Sequence, residues 1–202
     1  MPTSGDALRW DTRSGVDERR DQILRGLASF VRDRKLASLT MREIADQLGL
    51  VKGNLYYYFK SKQEILFHCH VKCIAISLAA LDEVLAEKLP PADALRLLLV
   101  RHIRNITEDA YSGVLLTNLE SLTPAQRKRY VAMRDRFEQG VRKMIRAGIA
   151  DGTFAQQDVD LAGFTILGAI NWIPKWYRRD GALSSIEIAE RVADQLIRSL
   201  QP

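Results

Sequence analysis

The chain has 202 residues, of which 47% are hydrophobic, so it can bury a substantial core and is not a disordered chain. Its length fits one small domain joined to a larger one, or one helical unit that contains both. The formal net charge at pH 7 is +5.

The positive charge is concentrated at the front. Residues 1–60 carry 11 Lys and Arg against 8 Asp and Glu, a net of +3, and the other 142 residues carry a net of +2. Such an excess fits a module that binds a polyanion, although a solvated surface with a mild basic bias would give the same count.

The sequence favours a soluble protein of a reducing compartment. Its first residues contain no apolar segment of the signal-peptide type. The longest nearly uncharged apolar run, residues 161–174, is too short to cross a bilayer, which takes roughly 18 residues or more. The two cysteines, Cys69 and Cys73, do not make a disulfide framework. We therefore expect a cytoplasmic protein with no membrane partner.

Helical patterns account for the chain from about residue 17 onward, whereas residues 1–16 lack periodicity and are predicted to be a flexible arm. No strand-like alternation is visible, so we predict an all-α fold of about nine helices. The segments with helical patterns are 17–31, 40–48, 52–59, 62–87, 92–110, 123–149, 158–178 and 184–200.

A helix-turn-helix is the clearest local pattern. Thr40 and Glu43 have the spacing of a capping box, in which a hydroxyl and a carboxylate satisfy two backbone donors at a helix start. Gly49 fits the end of that short helix, because glycine adopts the left-handed conformation without strain. A second short helix then follows, which in such a unit enters the major groove of DNA.

Residues 40–66, TMREIADQLGLVKGNLYYYFKSKQEIL, resemble the DNA-binding signature of the TetR family. The resemblance implies a three-helix helix-turn-helix domain, residues 17–62, followed by a helical ligand-binding and dimerisation domain, residues 63–202. It also implies a sequence-specific regulator that binds double-stranded operator DNA, with repression and ligand-induced release as the expected logic.

The resemblance places the DNA contacts at nine residues. Thr40 would cap the first helix and approach the backbone, and Arg42 would reach a base edge or a phosphate. Lys52 and Asn54 are the predicted specificity residues, because Asn pairs bidentately with adenine and Lys binds guanine. The remaining predicted contacts to phosphates, sugars and thymine methyls are Gly53, Tyr56, Tyr57, Lys60 and Lys62.

Two features of the recognition helix need comment. A helix cannot expose three consecutive tyrosines, so one of the triplet should pack inward, and Tyr58 is our choice. Val51 stands where the family usually has Ser or Thr, which would cap this helix. Valine has no hydroxyl, so we expect that cap to be absent or replaced.

The last two helices are the predicted homodimer interface. Residues 158–178 are apolar nearly all round, which indicates burial on several faces. The final helix places apolar residues at strict 3-4 spacing, a narrow seam for helix packing. An intramolecular core is the alternative. The seam consists of Ile186, Ala189, Ala193, Leu196 and Leu200.

The stretch NWIPKWYRRDGALS, residues 171–184, resembles a subset of TetR regulators that respond to acyl-CoA thioesters. We accordingly predict a hydrophobic small-molecule effector, with an acyl-CoA as one candidate. Trp172 and Trp176 would line an apolar slot, and Lys175 and Arg178 would meet anionic phosphates. The alternatives are core tryptophans and surface cations that favour a helix C-terminus.

Other classes of protein fit less well. His68, Cys69, His70 and Cys73 offer metal-ligand chemistry, but consecutive side chains point in different directions on a helix, so buried apolar cysteines are the better interpretation. We predict no metal, no cofactor and no catalytic residue, because phosphate-loop and nucleophile motifs are missing. A helical small-molecule carrier, or an enzyme without specific DNA binding, is the alternative function.

Overall fold

A computed structural model describes residues 15–31, 39–108 and 119–202 of the chain. Within these ranges it contains eight α-helices, one short 3₁₀ helix and no strand, which confirms the all-α prediction. Residues 1–14 of the predicted arm lie outside the described residues. The helices are α1 (Val16–Val31), α2 (Met41–Gln47), α3 (Lys52–Tyr58), α4 (Lys62–Ala86), α5 (Pro91–Glu108), α6 (Pro124–Ala150), α7 (Val159–Trp176) and α8 (Ser185–Arg198), with the 3₁₀ helix at Leu119–Ser121.

The helix boundaries follow from capping side chains. At α2, the Thr40 hydroxyl accepts the Glu43 N–H at 3.2 Å, and the Glu43 carboxylate accepts the Thr40 N–H at 2.7 Å. The same reciprocal arrangement starts α6 at Thr123 and α8 at Ser184. Gly49 ends the first helix of the helix-turn-helix with φ +62°, as predicted. These caps satisfy backbone donors that helices leave unpaired, and they fix each helix start.

Helices α1, α2 and α3 close on the first turns of α4 to form the small domain. The Leu50 N–H donates to the Ala45 carbonyl at 2.9 Å across the turn, and the Arg20 Nε donates to the Tyr58 carbonyl at 3.1 Å. The core of this domain is buried and apolar. It consists of Ile23, Leu24, Leu27, Ile44, Ala45, Leu48, Leu55, Phe59 and Ile65.

Helices α4 to α8 build the larger domain. α4 packs on α5 and α6, α5 on α8, and α6 on α7. Among the described residues, α4 is the one helix long and apolar enough to cross a membrane by length and composition, yet 56% of its most apolar window is buried inside the protein. A core helix of a globular protein passes the same test, so the burial of α4 accounts for its composition.

The predicted seam of α8 lies inside the chain. Ala189 and Ala193 are 0% exposed, Leu196 is 8% and Leu200 is 2% exposed, because this face of α8 packs on α5. Arg96 of α5 and Asp194 of α8 add an ion pair at 2.6 Å. The seam therefore fills an intramolecular core, the alternative that the sequence had left open. Of the seam residues, Ile186 alone is exposed.

We expect Leu196→Arg to disrupt the fold rather than to yield a folded monomer. The substitution would bury an unpaired guanidinium between α5 and α8, at a cost of several kcal/mol. Circular dichroism and urea unfolding would show lost helicity or a lowered midpoint. A folded, fully helical monomer would contradict the packing of α8 on α5.

Candidate DNA-binding surface and effector cavity

Helix α3 presents a short exposed face at the edge of the small domain. Lys52, Gly53 and Asn54 are exposed at its start, whereas Leu55 is completely buried and anchors the helix. Val51 is the N-cap residue, in extended conformation, and it makes no side-chain cap hydrogen bond. As expected from valine, the start of the helix lacks a hydroxyl cap.

The tyrosine triplet divides as the periodicity predicts. Tyr56 and Tyr57 are exposed, and Tyr58 is partly buried against the core. The Tyr57 and Tyr58 rings meet edge to face, with centroids 4.9 Å apart. The Lys52 ammonium lies 5.7 Å from the centroid of the Tyr56 ring, a cation–π distance. The exposed face of α3 thus combines a cation, an amide and two aromatic rings.

The residues flanking α3 divide into exposed and tethered groups. Thr40 and Arg42 of the preceding helix are exposed, and Arg42 has Asp46 as a 3.9 Å neighbour. Lys60 is exposed as well. The Lys62 ammonium instead donates to the Leu39 carbonyl at 2.9 Å and so ties the start of α4 to the segment before α2. Lys62 therefore positions the helices in the free protein, and its phosphate contact stays a prediction.

A half-open cavity of about 390 Å³ lies between α4, α5, α6 and α7. Its volume falls within the range of small-molecule sites in proteins. Its wall is mainly apolar, and several polar side chains interrupt it. The apolar lining includes Ile74, Ile106, Phe137, Phe164 and Leu167, and the polar lining includes His70, Ser77, His102, Tyr130, Arg134 and Glu138.

Burial keeps the two histidines and the tyrosine of the cavity uncharged. It lowers the pKa of His70 and of His102 to about 4 and raises the pKa of Tyr130 to about 12. At pH 7 both imidazoles are therefore neutral and the phenol keeps its proton. The charged lining residues are Arg134, which is about half exposed, and Glu138, which forms an ion pair with Arg142 at 2.5 Å. The most deeply buried polar groups of the cavity are therefore neutral.

The four predicted ligand residues do not line this cavity. Trp172 is 62% and Trp176 is 46% exposed, and Lys175 and Arg178 are exposed too. Residues 164, 167, 168 and 171 of α7 line the cavity, and neither tryptophan does, although Trp172 lies one helical turn after residue 168. Ligand contact by this set therefore has no support from the cavity geometry and remains a prediction.

Sequence reasoning missed the polar lining residues of the cavity. His102 lies within the apolar stripe of α5, and Tyr130 lies between arginines on α6. A polar side chain at a core position of an apolar helix is the signal that sequence alone offered. His70 drew attention only as a metal candidate. The cysteines beside it are buried, and burial raises the pKa of the Cys69 thiol to about 12.

Within residues 15–31, 39–108 and 119–202, no group of three or more His, Cys, Asp or Glu side chains is arranged to hold a metal ion. Cys69 and Cys73 pack as small apolar side chains on the stripe of α4.

Comparisons with known proteins identify the family. Residues 24–69 match the family described as "Bacterial regulatory proteins, tetR family", and residues 88–200 match "Tetracyclin repressor-like, C-terminal domain". The chain is 29% identical over 189 residues to the HTH-type transcriptional repressor KstR2 of Mycolicibacterium smegmatis, covering 90% of each protein.

Two solved structures are similar in fold. The TetR family transcriptional regulator PfmR of Thermus thermophilus is 33% identical, with a TM-score of 0.81, over 89% of this chain and 99% of that one. AibR in complex with isovaleryl coenzyme A and operator DNA is 24% identical, with a TM-score of 0.77, over 91% and 98%. The chain belongs to the TetR family and is a DNA-binding transcriptional regulator.

We expect Asn54→Ala to weaken operator binding by about 1–3 kcal/mol and to relax base choice, because it removes a bidentate amide from the exposed start of α3. Lys60→Ala is the matched control: it should weaken binding to operator and random DNA alike and lower the salt slope by about one. Fluorescence anisotropy on an operator obtained by selection from random DNA measures both. Equal losses on the two DNAs for Asn54→Ala would contradict the assignment.

A second prediction concerns acid stability. The unfolded chain protonates its histidines near pH 6.5, whereas the folded protein keeps His70 and His102 neutral down to about pH 4. The free energy of unfolding is therefore highest above pH 6.5. It falls as the pH drops toward 4, by up to about 1.4 kcal/mol per pH unit for each histidine. Urea unfolding at several pH values should show a shallower dependence in His102→Gln. An unchanged slope would mean that His102 is not held neutral.

Proposed function

We propose that this regulator is a cytoplasmic homodimeric repressor that leaves its operator when a hydrophobic small molecule, an acyl-CoA thioester, enters the cavity. The observation that carries the proposal is the position of α4. This helix forms one wall of the cavity and also closes the core of the DNA-binding domain.

The continuity of α4 supports a mechanical link between effector and DNA. His70, Cys73 and Ser77 of α4 line the cavity, and Ile65 of its first turn packs in the small-domain core. At 1.5 Å per residue, Ile65 and His70 are only about 8 Å apart along the axis. A displacement of α4 by a bound molecule would therefore move the recognition helix α3. The effector must bind the released arrangement more tightly for this to shift the equilibrium.

The cavity dimensions support an acyl group as the enclosed part of the effector. A mainly apolar space of about 390 Å³ suits an acyl chain or a small ring system and is too small for a whole coenzyme A. The coenzyme portion would extend past the half-exposed Arg134, whose guanidinium suits phosphates. Lys175 and Arg178 are the alternative phosphate ligands. The AibR complex with isovaleryl coenzyme A and operator DNA shows that a protein of this fold accommodates both partners.

The outer face of α7 supports the dimer. Leu161, Trp172 and Trp176 are exposed at helical spacing, Phe164 is exposed beside the cavity, and Ile186 of α8 is exposed too. Contiguous large apolar side chains of this kind mark interaction surfaces. A two-fold dimer would also give the two recognition helices that paired half-sites need. In this proposal the two tryptophans become buried against the partner subunit. Helix α8 contributes its first turn to the interface, and its seam stays inside the chain.

We expect Trp172→Arg to yield folded monomers with poor operator affinity, because a guanidinium would enter the apolar interface while the intrachain core stays intact. Lys143→Ala, an exposed change on α6, is the control and should remain dimeric. Sedimentation velocity gives the oligomeric state, and circular dichroism checks the fold. A Trp172→Arg dimer of unchanged strength would place the interface elsewhere.

Effector release is tested on operator-bound protein. Butyryl-, decanoyl- and palmitoyl-CoA are titrated against decanoate and free coenzyme A. We expect at least one thioester to release the DNA and both controls to fail. Leu167→Trp, which fills the cavity from α7, should keep operator affinity and lose the response. If no thioester acts, or if free acids act equally well, the acyl-CoA assignment is wrong.

A further inference from the structure

A chain of hydrogen bonds lies beneath the cavity and joins α4 to α5. The Asn105 amide nitrogen donates to the Cys73 carbonyl at 3.1 Å and to the Ser77 hydroxyl oxygen at 2.7 Å. The Ser77 hydroxyl in turn lies 2.8 Å from His102 Nδ1. Asn105, Ser77 and His102 are all more than nine-tenths buried, so the network is shielded from bulk water.

The direction of each hydrogen bond can be assigned. A backbone carbonyl only accepts, so the Asn105 atom that faces Cys73 must be the NH₂ group, which excludes the flipped amide. The same nitrogen donates its second hydrogen to Ser77. The Ser77 hydroxyl therefore keeps its own hydrogen, and we assign that hydrogen to His102 Nδ1, which lies 2.8 Å from the hydroxyl oxygen. An imidazole that accepts at Nδ1 and is neutral carries its hydrogen at Nε2.

The Nε2 edge of His102 is the edge left for the cavity. His102 lines the cavity, its Nδ1 is occupied by Ser77, and its ring packs on Phe137 with centroids 4.5 Å apart. Among the described residues, Nε2 of His102 is also not one of the fully enclosed polar atoms that lack a hydrogen-bond partner. The Tyr130 phenol, on a residue only 7% exposed, lines the same cavity. The buried end thus offers neutral donors.

We propose that His102 is an effector-binding residue whose Nε2–H, fixed by Ser77 and Asn105, donates to an uncharged acceptor of the effector, a carbonyl oxygen of the ketone or thioester class. The proposal rests on the cavity being the effector site. A carboxylate would lose its hydration there without meeting a buried cation, since Arg134 is half exposed at the rim. A carbonyl suits a neutral donor and leaves the anionic part of the effector outside.

The tautomer can be measured without any effector. The chain has three histidines, so protein labelled with ¹⁵N-histidine gives three imidazoles in long-range ¹H–¹⁵N spectra, and His102→Gln assigns one of them. We expect His102 to be neutral and protonated at Nε2 at pH 7. Ser77→Ala should leave a mixture of tautomers. An Nδ1–H or doubly protonated ring in the wild-type protein overturns the proposal.

Acceptor recognition is tested with decanoyl-CoA and its thioether analogue S-decyl-CoA, which lacks the carbonyl. Wild-type protein should bind the thioester roughly 3- to 10-fold more tightly, the worth of one neutral hydrogen bond. His102→Phe, which keeps a ring on Phe137 but has no donor, should lose this preference. Ile74→Val is the control: it trims the apolar wall, weakens both probes equally and keeps the preference. A preference that survives His102→Phe overturns the proposal.

A second probe pair separates this proposal from the acyl-CoA assignment. α-Tetralone and tetralin have nearly the same shape, and only the former has a carbonyl. In one outcome, neither CoA probe binds, α-tetralone shifts the His102 Nε2 resonance and tetralin does not. The acyl-CoA assignment is then wrong, and the proposal that His102 donates to a carbonyl is supported. If both ketone and hydrocarbon leave the resonance unchanged, the donor proposal is overturned.

Discussion

Both halves of the protein bury apolar side chains against the same helix, α4. Its first turns complete the small-domain core through Ile65 and Leu66, and its later turns pack on α5 and α6 through residues such as Leu81. At Gly140 of α6, an added Cβ would lie 2.5 Å from a methyl carbon of Leu81, so the Leu81 side chain would have to shift. The unfavourable helix propensity of that glycine, about 1 kcal/mol, is offset by the close packing that it permits.

Charged groups are few inside the larger domain, and Arg142 is the main exception. It is 8% exposed, forms ion pairs with Glu138 of α6 and Asp160 of α7, and lies over the Phe164 ring at 4.7 Å. A buried cation is tolerated only with such partners, since an unpaired one costs several kcal/mol. The pairs hold α7 on α6, and Glu138 and Phe164 both line the cavity. The cavity wall and the outer face of α7 are thereby joined in one network.

The sequence predicted the DNA-binding end better than the rest because its determinants are local. Thr40, Glu43 and Gly49 act within a few residues of one another, so spacing reveals them. The faces of α7 and α8 could not be assigned, because an apolar seam looks the same whether its partner is the same chain or another. The Leu196 seam packs inside, and Trp172 lies outside. The sequence did not reveal the cavity because its polar lining residues converge from four helices that are distant in sequence.

Helix α7 has one side toward the cavity and one side outward, and α4 runs from the small-domain core to the cavity. Each helix offers a route by which a bound effector could affect DNA binding. Along α7, Leu167 faces the cavity and Trp172 faces outward, so in the proposed dimer a signal would cross the subunit interface before it reached a DNA-binding domain. Along α4, Ser77 and Ile65 belong to one continuous helix, so a displacement at one would be carried to the other by the helix backbone. Coupling of the usual size, about 1–3 kcal/mol, is comparable to a few contacts at one helix. The α4 route is the more direct, and His102 reaches it through a single hydroxyl, that of Ser77.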